Sequence, residues 1–255
     1  MGNFRPRLVA LVFSLIAIAV VTSCSGDASN GDGVLIEPID DQSSPTPEVP
    51  LVETLTTPVI PSNGSVDTDL RGFIYPIQGA CLPSGDQLMP NAARTYRNGI
   101  HEGVDFYPGY NCAPISRATE IVAAKGGCVV RADTSYFGLT AAELQLLEAN
   151  PTTEEALDKY RGMQVWIDHG TCEARSGIVT RYAHLLSITP GIAPGVTVRQ
   201  GQLIAFVGES GTPESVRNPG REYHLHFELR VGLSYLGKDL PPAQVRSLYL
   251  TLFSP

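Results

Sequence analysis

The sequence predicts a mainly β fold: an antiparallel sheet domain with one short helical insertion, preceded by an export signal and a disordered tether. Three observations lead there. Short β-rich segments recur at close intervals from Arg71 onward, separated by Gly, Pro and Asn. Helix-capping patterns cluster in one stretch, around 139–162. Composition and charge both change near residue 70. Of the 26 acidic residues, nine lie before Arg71, where the only bases are Arg5 and Arg7. The net charge of −8 therefore belongs mostly to the N-terminal segment, and the remainder, with 17 acids against 16 bases, is close to neutral. Such a surface gives no electrostatic case for nucleic-acid binding.

In chain order, residues 1–23 read as a signal peptide: Arg5 and Arg7, a largely apolar run from Leu8 to Val21, then small residues. That run is shorter than the roughly 20 residues a membrane span requires. Its end, Val21-Thr22-Ser23-Cys24, resembles the bacterial lipoprotein signal, which implies lipidation of Cys24 after cleavage; the other reading is an ordinary buried cysteine. Acyl chains there would anchor the chain to a membrane without spanning it. Residues 24–70 are rich in Ser, Asp, Gly, Pro and Thr, without an aromatic residue or a sustained apolar period. Such a segment cannot offset its ordering entropy and reads as a lipid-anchored, disordered linker, about 35–40 Å end to end. The expected protein is an extracytoplasmic, membrane-anchored lipoprotein of a bacterium.

Residues 71–255 form the expected domain. Gly72–Ile77 opens it as a strand, followed by strands in 120–124, 127–132, 163–168, 176–182 and 202–208, and by Tyr223–Leu229. The series fits an antiparallel core. Between them, Thr140-Ala141-Ala142-Glu143 and Thr152-Thr153-Glu154-Glu155 are capping-box patterns separated by Asn150-Pro151. They predict helices over 141–149 and 153–160, the second ending near Gly162, as a surface excursion apart from any site.

Beyond Cys24 there are four cysteines, Cys81, Cys112, Cys128 and Cys172. Export permits disulfides, and four cysteines allow three pairings. The expected pairs are Cys81–Cys112, flanking the 101–105 segment, and Cys128–Cys172, each contributing about 2–4 kcal/mol. The alternative, a structural zinc cluster, lacks any C-x-x-C spacing.

Four of the five histidines sit in three short motifs. His224 and His226 lie two apart in a strand-like run, so both face one space. His101 and Asp105 are four apart; Gly103 and Pro108 argue against a helix, and in extended chain an even separation again shares a face. His184 ends the run Arg181-Tyr182-Ala183-His184. Catalytic zinc takes three protein ligands and keeps a fourth position open. His101, Asp105 and one of His224 and His226 supply that set, with the other histidine and His184 beside it. Zinc in such a site lowers the pKa of bound water to about 7. Two neutral histidines can then move protons, worth about 10²–10⁴-fold.

The motifs His101-x-Gly103-Val104-Asp105-Phe106, Asp168-His169-Gly170, Thr180-Arg181-Tyr182-Ala183-His184-Leu185 and His224-Leu225-His226-Phe227-Glu228 occur in this order. Between the last two runs Gly195-x-x-Val198-x-x-Gly201-Gln202-x-Ile204-Ala205-x-Val207-Gly208-x-Ser210-Gly211. From about Phe73 to Arg230 the chain resembles the lysostaphin-type (LytM-like) zinc metalloendopeptidases of bacterial cell walls. The resemblance implies an antiparallel β-sheet with a groove over one catalytic Zn2+. It implies that His101, Asp105 and His226 bind the metal and that His184 and His224 act on water and the tetrahedral intermediate. It also implies peptidoglycan cross-links or stem peptides as substrate. The choice of His226 over His224 comes from the resemblance alone. His169 is set apart as a structural histidine, and Tyr96 is a candidate carbonyl-polarising hydroxyl or a packing residue.

Two features depart from the family pattern: the helical insertion, and a long 212–223 segment carrying Glu214, Arg217, Arg221 and Glu222. Both bear on substrate choice. The alternative functional class is a catalytically silent wall-binding or regulatory module controlling another hydrolase; a further rival is a zinc peptidase acting on a protein.

Overall fold

The computed structural model describes residues 70–254, all within the unit Thr54–Pro255. The expected signal peptide, Cys24 and the linker up to residue 69 lie outside the described residues. In chain order come β1 (Ala93–Arg94), β2 (Gly99–Ile100), β3 (Val104–Phe106), β4 (Glu120–Val122) and β5 (Gly127–Ala132). Two helices follow, α1 (Ala141–Ala149) and α2 (Glu154–Arg161), then β6 (Val165–Asp168), β7 (Ile178–Ala183), β8 (Leu185–Ile188), β9 (Thr197–Val198) and β10 (Leu203–Val207). The chain closes with α3 (Pro213–Arg217), β11 (Leu225–Val231), β12 (Ser234–Tyr235) and α4 (Pro242–Leu252). A seven-stranded sheet runs β12-β11-β7-β6-β5-β9 with β3 also on β11; β4-β10-β8 form a second sheet, and β1 pairs β2. Every pairing is antiparallel, as expected.

β11 is the strand that links core to site. Its odd-numbered residues Leu225, Phe227 and Leu229 are fully buried in the apolar core, each stabilising the fold by about 1.5–3 kcal/mol. Side chains alternate along a strand, so His224, His226 and Glu228 share the opposite face. A slip of one residue would exchange the two sets. Pairing on both sides holds the register: Asp105 of β3 and Ala183 of β7 both stand opposite His226.

His184 lies where the chain leaves β7 for β8, passing from the large sheet to the small one. It makes that turn at φ 59, a left-handed conformation costing a non-glycine residue about 1–3 kcal/mol. Its N–H donates to the Arg161 carbonyl at 2.9 Å.

The helical insertion forms where the capping signals place it. Thr140 and Glu143 make the full capping box on α1. On α2 the cap is Thr153 instead of Thr152; its hydroxyl accepts from the N–H of Ala156, which offers no carboxylate in return. Leu144, Leu147, Ala156 and Tyr160 make a small apolar cluster of their own, against which Val216 of α3 packs. α1 and α3 are further tied by an ion pair between Glu148 and Arg217. Gly162 ends α2 at φ 64, and a Cβ there would fall 2.3 Å from the Ser210 carbonyl carbon. Only glycine lets the end of the insertion lie against the segment after β10.

Elements differ from expectation at both ends of the domain, and α3 within 212–223 was not expected either. Residues 72–77 form no ladder. Gly72 is left-handed, Pro76 has no N–H to give, and the remaining groups bond singly: Phe73 N–H to the Leu252 carbonyl, Ile74 N–H to that of Ala124. Helix α4 was not among the expected elements, although its buried Val245, Leu248, Tyr249 and Leu252 follow helical spacing. The disulfides are Cys81–Cys112 and Cys128–Cys172, the expected pairs.

His169 is a half-buried structural histidine. One ring nitrogen donates to the Gly126 carbonyl (3.0 Å), the other lies 3.0 Å from the Thr180 hydroxyl, and Phe73 packs edge-on at 5.0 Å. Burial pushes its pKa down to about 4, against a smaller opposing effect of the Gly126 bond. The unfolded chain binds a proton near pH 6.5 and the fold resists until about 4, so stability falls as pH drops through that window. The group accounts for about 1–3 kcal/mol. His169→Gln, whose amide can donate to Gly126, is expected to flatten the urea-unfolding pH profile between 6.5 and 4. An unchanged slope would contradict this.

Candidate active site

Three polar atoms from two chain segments, 101–105 and β11, meet in a cleft of about 580 Å³. His101 Nε2 lies 2.9 Å from Asp105 Oδ1, His226 Nδ1 lies 2.8 Å from the same oxygen, and the two nitrogens are 3.0 Å apart. All three residues are buried. Each owes its place to local structure. Asp105 is on β3 directly across from His226 on β11. His101 approaches on the bend before β3, where its N–H donates to the Ala92 carbonyl. Gly103 makes the approach close: a Cβ there would sit 2.5 Å from the Phe227 carbonyl oxygen and 3.0 Å from the His226 ring.

Their outer partners fix the protons. His101 Nδ1 faces the Met89 carbonyl at 3.0 Å; a carbonyl only accepts, so this nitrogen carries the hydrogen and Nε2 presents its lone pair inward. His226 Nε2 faces Glu228 Oε1 at 3.0 Å. Burial alone would raise the Glu228 carboxyl. Arg161, His226 and Arg230 outweigh it and hold it well below the usual range, so it is an acceptor. His226 therefore donates through Nε2 and points the Nδ1 lone pair inward. Arg94 donates to Asp105 Oδ2 at 2.8 Å, leaving Oδ1 for the cluster. Burial again opposes charge on Asp105, but His101 and His226 keep it ionised, well below its ordinary pKa.

Two lone-pair nitrogens and a carboxylate oxygen at mutual distances near 3 Å repel one another unless positive charge lies among them. His226 registers that demand. Burial disfavours its charge, yet Asp105 and Glu228 together raise its pKa. His101 goes the other way, down to about 4, because burial outweighs Asp105. The donor set, two imidazoles and one carboxylate with outer partners, is the kind a catalytic zinc takes. These three form the group among the described residues able to hold a metal.

His224 and His184 stand beside this cluster without joining it. His224 Nε2 is 3.9 Å from Asp105 Oδ1, while Nδ1 donates to the Glu222 carbonyl at 2.6 Å. Tyr107 stacks on the His224 ring (4.0 Å, 10° between planes) and donates its hydroxyl to Glu222 at 2.6 Å. His184 Nδ1 donates to the Ser210 carbonyl at 2.8 Å, and its ring centroid is 4.5 Å from that of His224. Both thus present an unprotonated Nε2. Burial lowers both pKa values, well below the ordinary range for His184, where the neighbouring histidines add to it. Of the two strand neighbours, His226 reaches the cluster and His224 does not, a distinction that strand periodicity leaves open.

Tyr96 lines the same cleft, 58% exposed, with its ring edge-on to Tyr160 at 6.2 Å. The helical insertion is no surface excursion: Leu157, Tyr160 and Arg161 line the cleft, as do Pro213 and Glu214 of α3. The two departures from the family pattern thus pack together into one wall. The sequence reading missed Glu228, Arg94, Arg161 and Tyr107. Glu228 had a signal, the period of two that continues from His224 and His226; the other three reach the site through tertiary pairing.

No curated protein sequence matches the chain. Among solved structures, it is similar to a zinc containing peptidase from Vibrio cholerae, 24% identical over 67% of this chain and 41% of that one, with a TM-score of 0.42. It therefore spans about two fifths of that protein. It is also similar to the catalytic domain of the antimicrobial peptidase lysostaphin from Staphylococcus simulans, with 20% identity, 64% and 86% coverage and a TM-score of 0.37. A third similarity is to the SpoIIQ-SpoIIIAH pore forming complex, at 16% identity, 66% and 88% coverage and a TM-score of 0.40. The sequence profile of peptidase family M23 matches residues 99–238, which contain every histidine and carboxylate of the site. By that match, over more than half its length, the chain belongs to peptidase family M23, a family of cell-wall hydrolases.

Proposed function

We propose that this protein is a zinc-dependent endopeptidase that hydrolyses peptide bonds in bacterial peptidoglycan, working from a lipid anchor at Cys24. The observation that carries the reading is the convergence of His101 Nε2, Asp105 Oδ1 and His226 Nδ1 with all their protons committed outward. Zinc dependence is typical of family M23, and these three residues are the proposed ligands. When bound, the ion supplies Lewis acidity toward water and the scissile carbonyl.

The chain's own residues do the rest. Nε2 of His184 and Nε2 of His224 are the two proton acceptors beside the cluster, and their Nδ1–H groups are tied to carbonyls, so neither ring can turn its tautomer over cheaply. One Nε2 takes a proton from water and, once protonated, returns that proton to the leaving amine, while the other accepts a hydrogen bond from the attacking water, together worth about 10²–10⁴-fold. The stacked Tyr107 ring keeps His224 upright, and Ser210 does the same for His184. Tyr96, at the exposed rim, is placed to meet substrate in the cleft; the carbonyl-polarising role remains its proposed one.

Purified protein supplied with zinc and incubated with peptidoglycan is expected to release new amino termini. Stoichiometric metal without new termini would rule out hydrolysis and leave a binding module. His184→Ala is expected to keep zinc and lose at least 100-fold in kcat, whereas Asp105→Ala loses both. Metal analysis and turnover of the two variants check this, and zinc lost from His184→Ala but kept by Asp105→Ala would reverse the roles.

A further inference from the structure

We infer that Arg161, the last residue of the helical insertion, is a positioning residue that orients His226 for metal through Glu228. This rests on the zinc reading above and goes beyond it, because the insertion lies outside the residues expected to serve the site. Glu228 is fully buried on β11. Its Oε1 accepts from Arg161 Nε at 2.6 Å and from His226 Nε2 at 3.0 Å. Its Oε2 accepts from Arg181 at 3.3 Å and Arg230 at 3.2 Å. The second arm of Arg161, Nη2, donates to Glu102 Oε2 at 2.7 Å, and Arg230 donates to that oxygen at 2.6 Å.

Glu228, Arg161, Glu102 and Arg230 thus close a ring of ion pairs behind the cluster, with Glu102 next in sequence to His101. The geometry assigns different work to its members. Arg181 and Arg230 neutralise Glu228 from the Oε2 side, so the carboxylate stays compensated without Arg161. Of the three arginines, Arg161 bonds the oxygen that His226 uses, so it acts on the position of Oε1 directly, and the other two only through Oε2. The carboxylate in turn fixes which nitrogen of His226 carries the proton, and hence that Nδ1 faces His101 and Asp105. Outer-partner mutations of this kind cost about 10–100-fold in metal affinity. The planar guanidinium can serve Glu228 and Glu102 at once, which a lysine ammonium cannot do in the same geometry.

Competition with a chromophoric zinc chelator measures this on the full protein. Arg161→Met is expected to weaken zinc binding about 10–100-fold, and Arg161→Lys by less. The loss is expected to vanish in a Glu228→Gln background, since both changes break one path. Glu148→Ala, which unties the insertion from α3 without touching Arg161, should bind zinc like the parent. Wild-type affinity in folded Arg161→Met, or losses that multiply in the double variant, would overturn the inference. Should Arg161→Met fail to fold, wild-type zinc affinity in Arg161→Lys overturns it equally, and weakened affinity supports it. A parent protein that binds no zinc at all sinks the enzyme reading itself; a parent that binds zinc alongside an unaffected Arg161→Met sinks only this one.

Discussion

The structure depends on one electrostatic conflict: three acceptor atoms, from His101, Asp105 and His226, held near 3 Å apart in a buried place. Left to themselves these groups would turn apart. They are prevented because each is bound from behind, His101 by the Met89 carbonyl, Asp105 by Arg94 and His226 by Glu228. The folding energy that keeps them there comes from elsewhere, chiefly the apolar side of the same strands. A cation among them would resolve the conflict; burial lowers the His101 pKa, whereas Asp105 and Glu228 raise that of His226 against burial.

β11 makes this economical. One strand buries Leu225, Phe227 and Leu229 on its core side and lines up His224, His226 and Glu228 on the other. Moving along that polar face is moving outward through the site's logic: a proton-transfer candidate, a candidate ligand, and the residue that supports it. The neighbouring β7 delivers His184 just beyond its end, where a left-handed turn aims the ring back toward His224. The insertion and the segment after β10 then meet backbone to backbone at Gly162, which joins the wall of the cleft to the Arg161 and Ser210 carbonyls that hold His184.

Much of this was legible from residues alone. Period-two alternation marks β11 and β7, the Thr140/Glu143 pair marks α1, and the even spacings of 101/105 and 224/226 mark shared faces. The strand rule could not say which of His224 and His226 joins His101 and Asp105, because both point the same way. That choice depends on Asp105 standing opposite His226 across β3, a pairing 121 residues apart. Arg161 was illegible for the same reason: nothing near it in sequence reveals Glu228. Residues 72–77 misled because β-prone side chains there pack against α4 and β4 by single bonds without a ladder. The spacing of Val245, Leu248, Tyr249 and Leu252 was a readable helix signal that the strand-dominated pattern obscured.

X-ray absorption at the zinc edge of the metal-loaded protein tests the central claim most directly. Convergence of His101, Asp105 and His226 predicts a shell of nitrogen and oxygen alone at about 2.0–2.1 Å with the outer scattering of two imidazoles. Sulfur at about 2.3 Å, or a shell without imidazole, would contradict it.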